Sequence, residues 1–140
     1  MGKTIEFKRP DGQAVKGYLA EAPNAVGAVV VIQEWWGLND QIRGVADRIA
    51  AAGFNALVPD LYRGKSTAEA EEAHHLMTNL NFGDAAAQDV RGAVQYLDAA
   101  KPGRGKVGVT GFCMGGALTI LSATMVPEAA AGVGRRIVVR

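Results

Sequence analysis

Residues 106–116 read Lys-Val-Gly-Val-Thr-Gly-Phe-Cys-Met-Gly-Gly and set the chain's only cysteine where a strand should turn sharply into a helix. Val107 and Val109 make the preceding strand apolar. The core, Gly111-Phe112-Cys113-Met114-Gly115, is a G-x-C-x-G form of the G-x-S-x-G nucleophile elbow. Small residues flank Cys113 because such a turn brings strand and helix backbones close together. From Ala117 the apolar pattern of Leu118, Ile120 and Leu121 predicts a buried helix. The turn lifts the sulfur to the top of a sheet and aims the positive end of the helix at it, which favours thiolate over thiol. The bland alternative is a small buried cysteine beside glycines needed only for packing; the strand-turn-helix context favours a nucleophile.

The rest of the chain narrows the setting. A length of 140 residues, 49% hydrophobic and 21% charged, fits one soluble globular domain with a real core. Fifteen basic residues against fourteen acidic ones leave little net charge, so nothing points to nucleic acid or an anionic membrane as partner. One cysteine cannot form an internal disulfide, and the N-terminus has no apolar run of the signal-peptide kind. No apolar stretch approaches the roughly eighteen residues of a membrane span. A reducing cytoplasm is the expected location.

Strands and helices alternate. Thr4–Lys8 and Ala14–Ala20 flank Arg9-Pro10-Asp11-Gly12, a turn sequence, and read as an antiparallel hairpin. Gly27–Ile32 is a β-branched run suited to a strand buried on both faces. Asn39 or Asp40 caps a helix with Ile42, Val45, Ala46 and Ile49 inward, and Gly53 ends it. Phe54–Val58 is a second buried strand. Ser66-Thr67-Ala68-Glu69 matches a capping box for a helix with Ala73, Leu76, Met77 and Leu80 along one stripe. Another helix, starting near Asp84, turns Val90, Ala93, Val94 and Leu97 inward and ends before Pro102. The pattern predicts one α/β unit, a mostly parallel sheet with right-handed crossovers.

In open parallel sheets function gathers at the carboxyl ends of strands. Three such ends carry Gln33-Glu34-Trp35-Trp36-Gly37, Asp60-Leu61-Tyr62-Arg63 and Cys113. Glu34 follows an apolar strand and precedes two tryptophans; as a partly buried carboxylate it needs a partner or a raised pKa. Acyl-transfer chemistry also needs donors aimed at a developing oxyanion. By the elbow pattern these are the backbone N–H groups of Met114 and Trp35. Trp36 and its neighbour wall a pocket or cover a core edge. Tyr62 and Arg63 are weaker substrate-binding candidates; Arg63 could hold a carboxylate bidentately, although a solvated arginine is commoner. His74 and His75, the only histidines, lie on the capping-box helix and not at a strand end. They lack the i,i+4 spacing or extra ligands of a metal site and read as structural.

Three segments together, Val-Ile-Gln-Glu-Trp-Trp-Gly-Leu-Asn (31–39), Ala-Leu-Val-Pro-Asp-Leu-Tyr-Arg-Gly (56–64) and Gly-Phe-Cys-Met-Gly-Gly-Ala (111–117), resemble the dienelactone hydrolases (carboxymethylenebutenolidases). The resemblance runs over about residues 3–125. It implies a compact α/β-hydrolase fold and hydrolysis of cyclic enol-lactones, with Cys113 as nucleophile and Glu34 linked to activating the thiol. It also implies oxyanion donors at Trp35 and Met114, a small lactone or ester substrate, and no cofactor. A later Asp and a still later His complete the family's triad.

Only 27 residues follow Cys113, with one acid, Glu128, and no histidine. The tail from Ala129 departs from the family pattern and reads as an early stop, a frameshifted end or a fragment lacking the C-terminal strands. The Cys113 strand is then expected at or near a sheet edge, where unpaired backbone invites a second copy; Ile137-Val138-Val139 could supply a substitute strand. Two further readings compete. One is a catalytically inactive chain that binds ligands on the same fold. The other takes Thr110–Gly116 as a dinucleotide loop, which belongs after a first strand and not this late.

Overall fold

The computed structural model describes residues 2–100, 106–129 and the backbone of 131–135. The turn chemistry of Pro10 and Gly12 closes the hairpin of β1 (Lys3–Lys8) and β2 (Ala14–Ala20), with Lys8 opposite Ala14. The β-branched runs become β3 (Gly27–Ile32) and β4 (Phe54–Pro59), and the strand before the cysteine is β5 (Val107–Phe112). A sixth strand, β6 (Ala131–Arg135), completes the order β1-β2-β4-β3-β5-β6. The β1–β2 and β2–β4 pairs are antiparallel and the others parallel.

Helices cover the sheet from both sides. On one face α1 (Asp40–Ala51), capped by the Asn39 side chain accepting from the Ile42 N–H, buries Ile42 and Ala46 against Tyr18, Ala20, Val31, Ala56 and Val58. On the other face α2 (Ala70–Thr78) packs Ala73 inward. It is followed by a helical run of three parts, α3 (Phe82–Asp84), a π-helical segment (Ala85–Val90) and α4 (Arg91–Ala99). Val90, Ala93, Val94 and Leu97 are fully buried there, as their spacing predicts, and pack with Val30, Ile32, Leu57 and Val107. The last helix, α5 (Met114–Met125), starts immediately after Cys113 and lies on this same face.

Three details depart from the sequence expectation, and a fourth is not reached. The Ser66–Glu69 capping box does not form: the Thr67 hydroxyl accepts the Glu69 N–H at 3.0 Å in a local turn, and α2 begins only at Ala70 without a side-chain cap. In α5, Leu118 is buried but Ile120 is 68% exposed, because residues two apart on a helix point about 200° apart. The tail does not leave the sheet after Glu128. Ala131–Arg135 pairs in parallel with β5, Gly108 opposite Ala131 and Phe112 opposite Arg135; the Cys113 strand lies one place in from the edge, near it as expected. Ile137-Val138-Val139 lies outside the described residues.

Candidate active site

β3 and β5 run side by side and end together, with Ile32 in register with Gly111. Two residues beyond each lie Glu34 and Cys113. The cysteine backbone is strained at φ 56°, ψ −116°, outside the regions most L-residues adopt. Tight packing on both sides dictates that geometry. A Cβ on Gly111 would lie 2.3 Å from the Gly115 carbonyl oxygen, and one on Gly115 would lie 2.6 Å from the Ile32 oxygen and 2.8 Å from that of Gln33. The two glycines of the motif therefore let the first turn of α5 rest directly on the end of β3. Cys113 is half-buried, and its carbonyl accepts the Ala117 N–H, the first bond of the helix. The N–H groups of the opening turn, Met114 first, have no intrahelical acceptor.

The loops after β3 and β4 close around this turn. Gln33 is completely buried; its side-chain oxygen accepts the Leu61 N–H at 3.0 Å and so joins the two strand ends. The Trp35-Trp36-Gly37 turn is held from the same side. Thr67 donates its N–H to the Trp36 carbonyl, and Gly37, at φ 97°, lies where a Cβ would strike the Lys65 oxygen at 2.5 Å. The Trp35 and Trp36 rings stand edge to face with centroids 5.3 Å apart, and Trp35 packs on the main core. Tyr62 is buried and its hydroxyl donates to the Met114 sulfur at 3.4 Å. Burial pushes the Tyr62 phenol up to about 12. It also raises the Glu34 carboxyl above the usual glutamate range.

The strand ends thus bring together Cys113, Met114, Glu34, Trp35, Trp36 and Tyr62. Arg63 is placed differently. Both terminal nitrogens of its guanidinium bind Asp89, at 2.8 and 3.0 Å, so the bidentate face that could hold a substrate carboxylate is already occupied. His74 and His75 are exposed on α2. Among the described residues no group of three or more His, Cys, Asp or Glu could hold a metal, and no helix is long and apolar enough to cross a membrane.

The strand-end motifs give no role to Gln33 or to the Arg9–Asp89–Arg63 cluster. Arg9 and Asp89 are both buried, 3.0 Å apart, and Arg9 also binds Asp84 and Asp11. A signal was present: Asp89 falls at an inward position of the helical stripe, four residues after Ala85 and four before Ala93.

A mixed sheet flanked by helices, with a strained cysteine turn between β5 and α5, defines an α/β-hydrolase-type fold. The family model for the dienelactone hydrolase family matches residues 15–134, and the chain belongs to that family. It is 37% identical to Protein usf of Aquifex pyrophilus over 91% of this chain and 58% of that protein. It is 32% identical to a carboxymethylenebutenolidase of Pseudomonas putida over 85% of this chain and 54% of the other. A solved structure named m3DLH superposes with a TM-score of 0.72 at 30% identity, over 97% of this chain and 59% of that one. A Klebsiella pneumoniae structure superposes with a TM-score of 0.77 at 24% identity, over 100% of this chain and 62% of that one. The chain spans a little over half the length of these curated relatives. The family match runs through β6 almost to its end, further than the three sequence segments reach.

Proposed function

We propose that this chain attacks the carbonyl of a small lactone or ester through Cys113. The observation that supports it is the strained turn at Cys113, seated between the paired ends of β3 and β5 with Glu34 on the adjoining strand end. In the first step the Cys113 thiol proton passes to the Glu34 carboxylate and the sulfur adds to the carbonyl carbon. Burial helps here, because the raised pKa of Glu34 makes it a stronger proton acceptor than an exposed glutamate. The oxyanion is met by the backbone N–H groups of Trp35 and Met114. Collapse breaks the ring C–O bond, Glu34 returns its proton to the leaving oxygen, and a thioester remains on Cys113. Water then adds to the thioester, the thiol is released, and the product acid departs.

The second step needs a base for the water. Both histidines of this chain are exposed on α2, which favours a second reading: one acyl transfer with slow turnover, or ligand binding at the Trp35–Trp36 turn without chemistry. One experiment separates these readings. The purified chain and its Cys113→Ala variant are mixed with a dienelactone and with an activated ester, and product and acyl-protein mass are followed. A burst of about one equivalent with acylated Cys113 supports nucleophilic attack, and sustained Cys113-dependent release supports full hydrolysis. Equal rates for both proteins would eliminate the enzyme reading.

A further inference from the structure

Asp60-Leu61-Tyr62-Arg63-Gly64, the turn that carries Tyr62 to Met114, is not self-supporting. Arg63 and Gly64 both take left-handed backbone, at φ 55° and φ 90°. Glycine adopts this readily, but arginine does so only if something holds it. Inside the turn, the Gly64 N–H donates to the Asp60 carboxylate at 2.7 Å and an Arg63 terminal nitrogen donates to the Asp60 carbonyl at 3.0 Å. From outside, the start of the turn is tied by the Asp60 N–H donating to the Lys16 carbonyl and the Leu61 N–H donating to Gln33, while its far end, Arg63, is held by Asp89, on the π-helical segment 26 residues away in sequence. One Asp89 oxygen accepts from Arg63 at 2.8 Å; the other accepts from Arg63 and from Arg9, each at 3.0 Å.

The two arginines depend on Asp89 unequally. Arg9 is buried and retains Asp11 and Asp84 if Asp89 is lost. The Arg63 side chain is 43% exposed and has no second carboxylate among the described residues, so without Asp89 only the Asp60 carbonyl holds it against turning into water. A neutral residue at 89 therefore releases the strand-end turn more than it releases the hairpin. We propose that Asp89 is a positioning residue for the candidate site: through Arg63 it fixes the Asp60–Gly64 turn and so seats Tyr62 on Met114, beside Cys113. This rests on reading the Cys113 turn as the site, and it gives Arg63 a task other than binding substrate.

The test compares Asp89→Asn, Arg63→Met and Arg9→Met in the full chain, using hydrogen exchange by mass spectrometry and the iodoacetamide alkylation rate of the single cysteine. Asp89→Asn and Arg63→Met should each speed exchange over residues 60–66 at least tenfold and change Cys113 alkylation at least threefold. The double variant should add nothing further, because both changes cut the same link. Arg63→Lys should fall between, since an ammonium cannot reproduce the two-point contact. Arg9→Met should leave residues 60–66 within twofold of the parent. Unchanged exchange over 60–66 would overturn the proposal, as would faster exchange with unaltered alkylation, or an Arg9→Met effect equal to that of Arg63→Met. If Asp89→Asn does not fold, the arginine variants decide. Neither readout requires turnover, so a hydrolysis rate indifferent to Cys113 would sink the proposed function while leaving this result readable.

Discussion

Replacing Gly115 by alanine tests whether the cysteine turn is built by backbone contact. The new methyl would sit 2.6 Å from the Ile32 carbonyl oxygen and 2.8 Å from that of Gln33. Real Cβ contacts essentially never fall under 3.0 Å, so the Ile32 oxygen must retreat by at least 0.4 Å (3.0 less 2.6). Neither obstacle is a side chain that can rotate away. Ile32 is fully buried and in register with Gly111 on β5, so moving it disturbs the strand pair as well as α5. Overpacking costs about 1–3 kcal/mol, and obstruction by two backbone groups places this case near about 3 kcal/mol. For a domain of this size that is a fall in Tm on the order of 10 °C. Gly44→Ala supplies the opposite sign. It lies inside α1, where an added Cβ meets only the Arg48 side chain at 3.7 Å, and should gain roughly 0.5–1 kcal/mol from helix propensity. Urea unfolding of the parent and both variants gives the numbers. A Gly115→Ala protein as stable as the parent would refute the close strand-helix approach on which the site geometry rests.

Glu34 predicts a pH effect whose sign is fixed. Its carboxyl titrates above the usual glutamate range in the fold, so the folded state holds that proton more tightly than the unfolded chain. Stability should therefore fall as pH rises through the window between the two pKa values. Glu34→Gln should flatten that fall, which urea midpoints at pH 4 and pH 7 will check; an identical pH slope in both proteins would count against it. Tyr62→Phe removes a buried hydroxyl whose partner, the Met114 sulfur, is a weak acceptor, so unfolding should shift by less than about 1 kcal/mol. If ester hydrolysis drops in that variant at unchanged stability, the hydroxyl is serving the substrate. Finally, among the described residues β6 is an edge strand of the mixed sheet, paired in parallel with β5, and we propose that it drives self-association of this chain. Light scattering should show dimers or larger species, and a monomer at high concentration would dismiss the idea.

What the sequence discloses about this fold, it discloses through local rules. Asn39 caps α1, the β-branched run of 27–32 is a doubly covered strand, and Gly111 and Gly115 mark a close approach; each follows from the residue and its neighbours. The misreadings arise where distant groups compete. The Ser66–Glu69 box fails because Gly37 bridges to Ser66 and the Thr67 N–H is taken by the Trp36 carbonyl, which draws this segment into the β3 loop before a helix can start. Gly-rich Ala131–Arg135 has little strand propensity of its own and is extended by pairing with β5. Arg63 looks like an unattached loop cation until the π-helical segment turns Asp89 toward it.

The same distinction separates what the fold prepares from what the chemistry still requires. The Cys113 turn, the Met114 and Trp35 amides and the position of Glu34 all follow from backbone packing where β3 meets β5 and α5, so they are set before any substrate arrives. In the proposed mechanism that preorganisation would serve the attack and the oxyanion, where fixed dipoles act most strongly. Release of the thioester depends instead on a base aimed at water, a side-chain property that no strand pairing can provide. In the proposed mechanism Glu34 would by then have returned its proton to the leaving group and be again a carboxylate with a raised pKa, able to accept once more. If it does so, Glu34→Gln lowers both the burst and the steady rate. If it serves the attack alone, the variant slows the burst, while deacylation of protein acylated beforehand keeps the parent rate. Measuring the two phases separately therefore assigns the carboxylate to one step or to both.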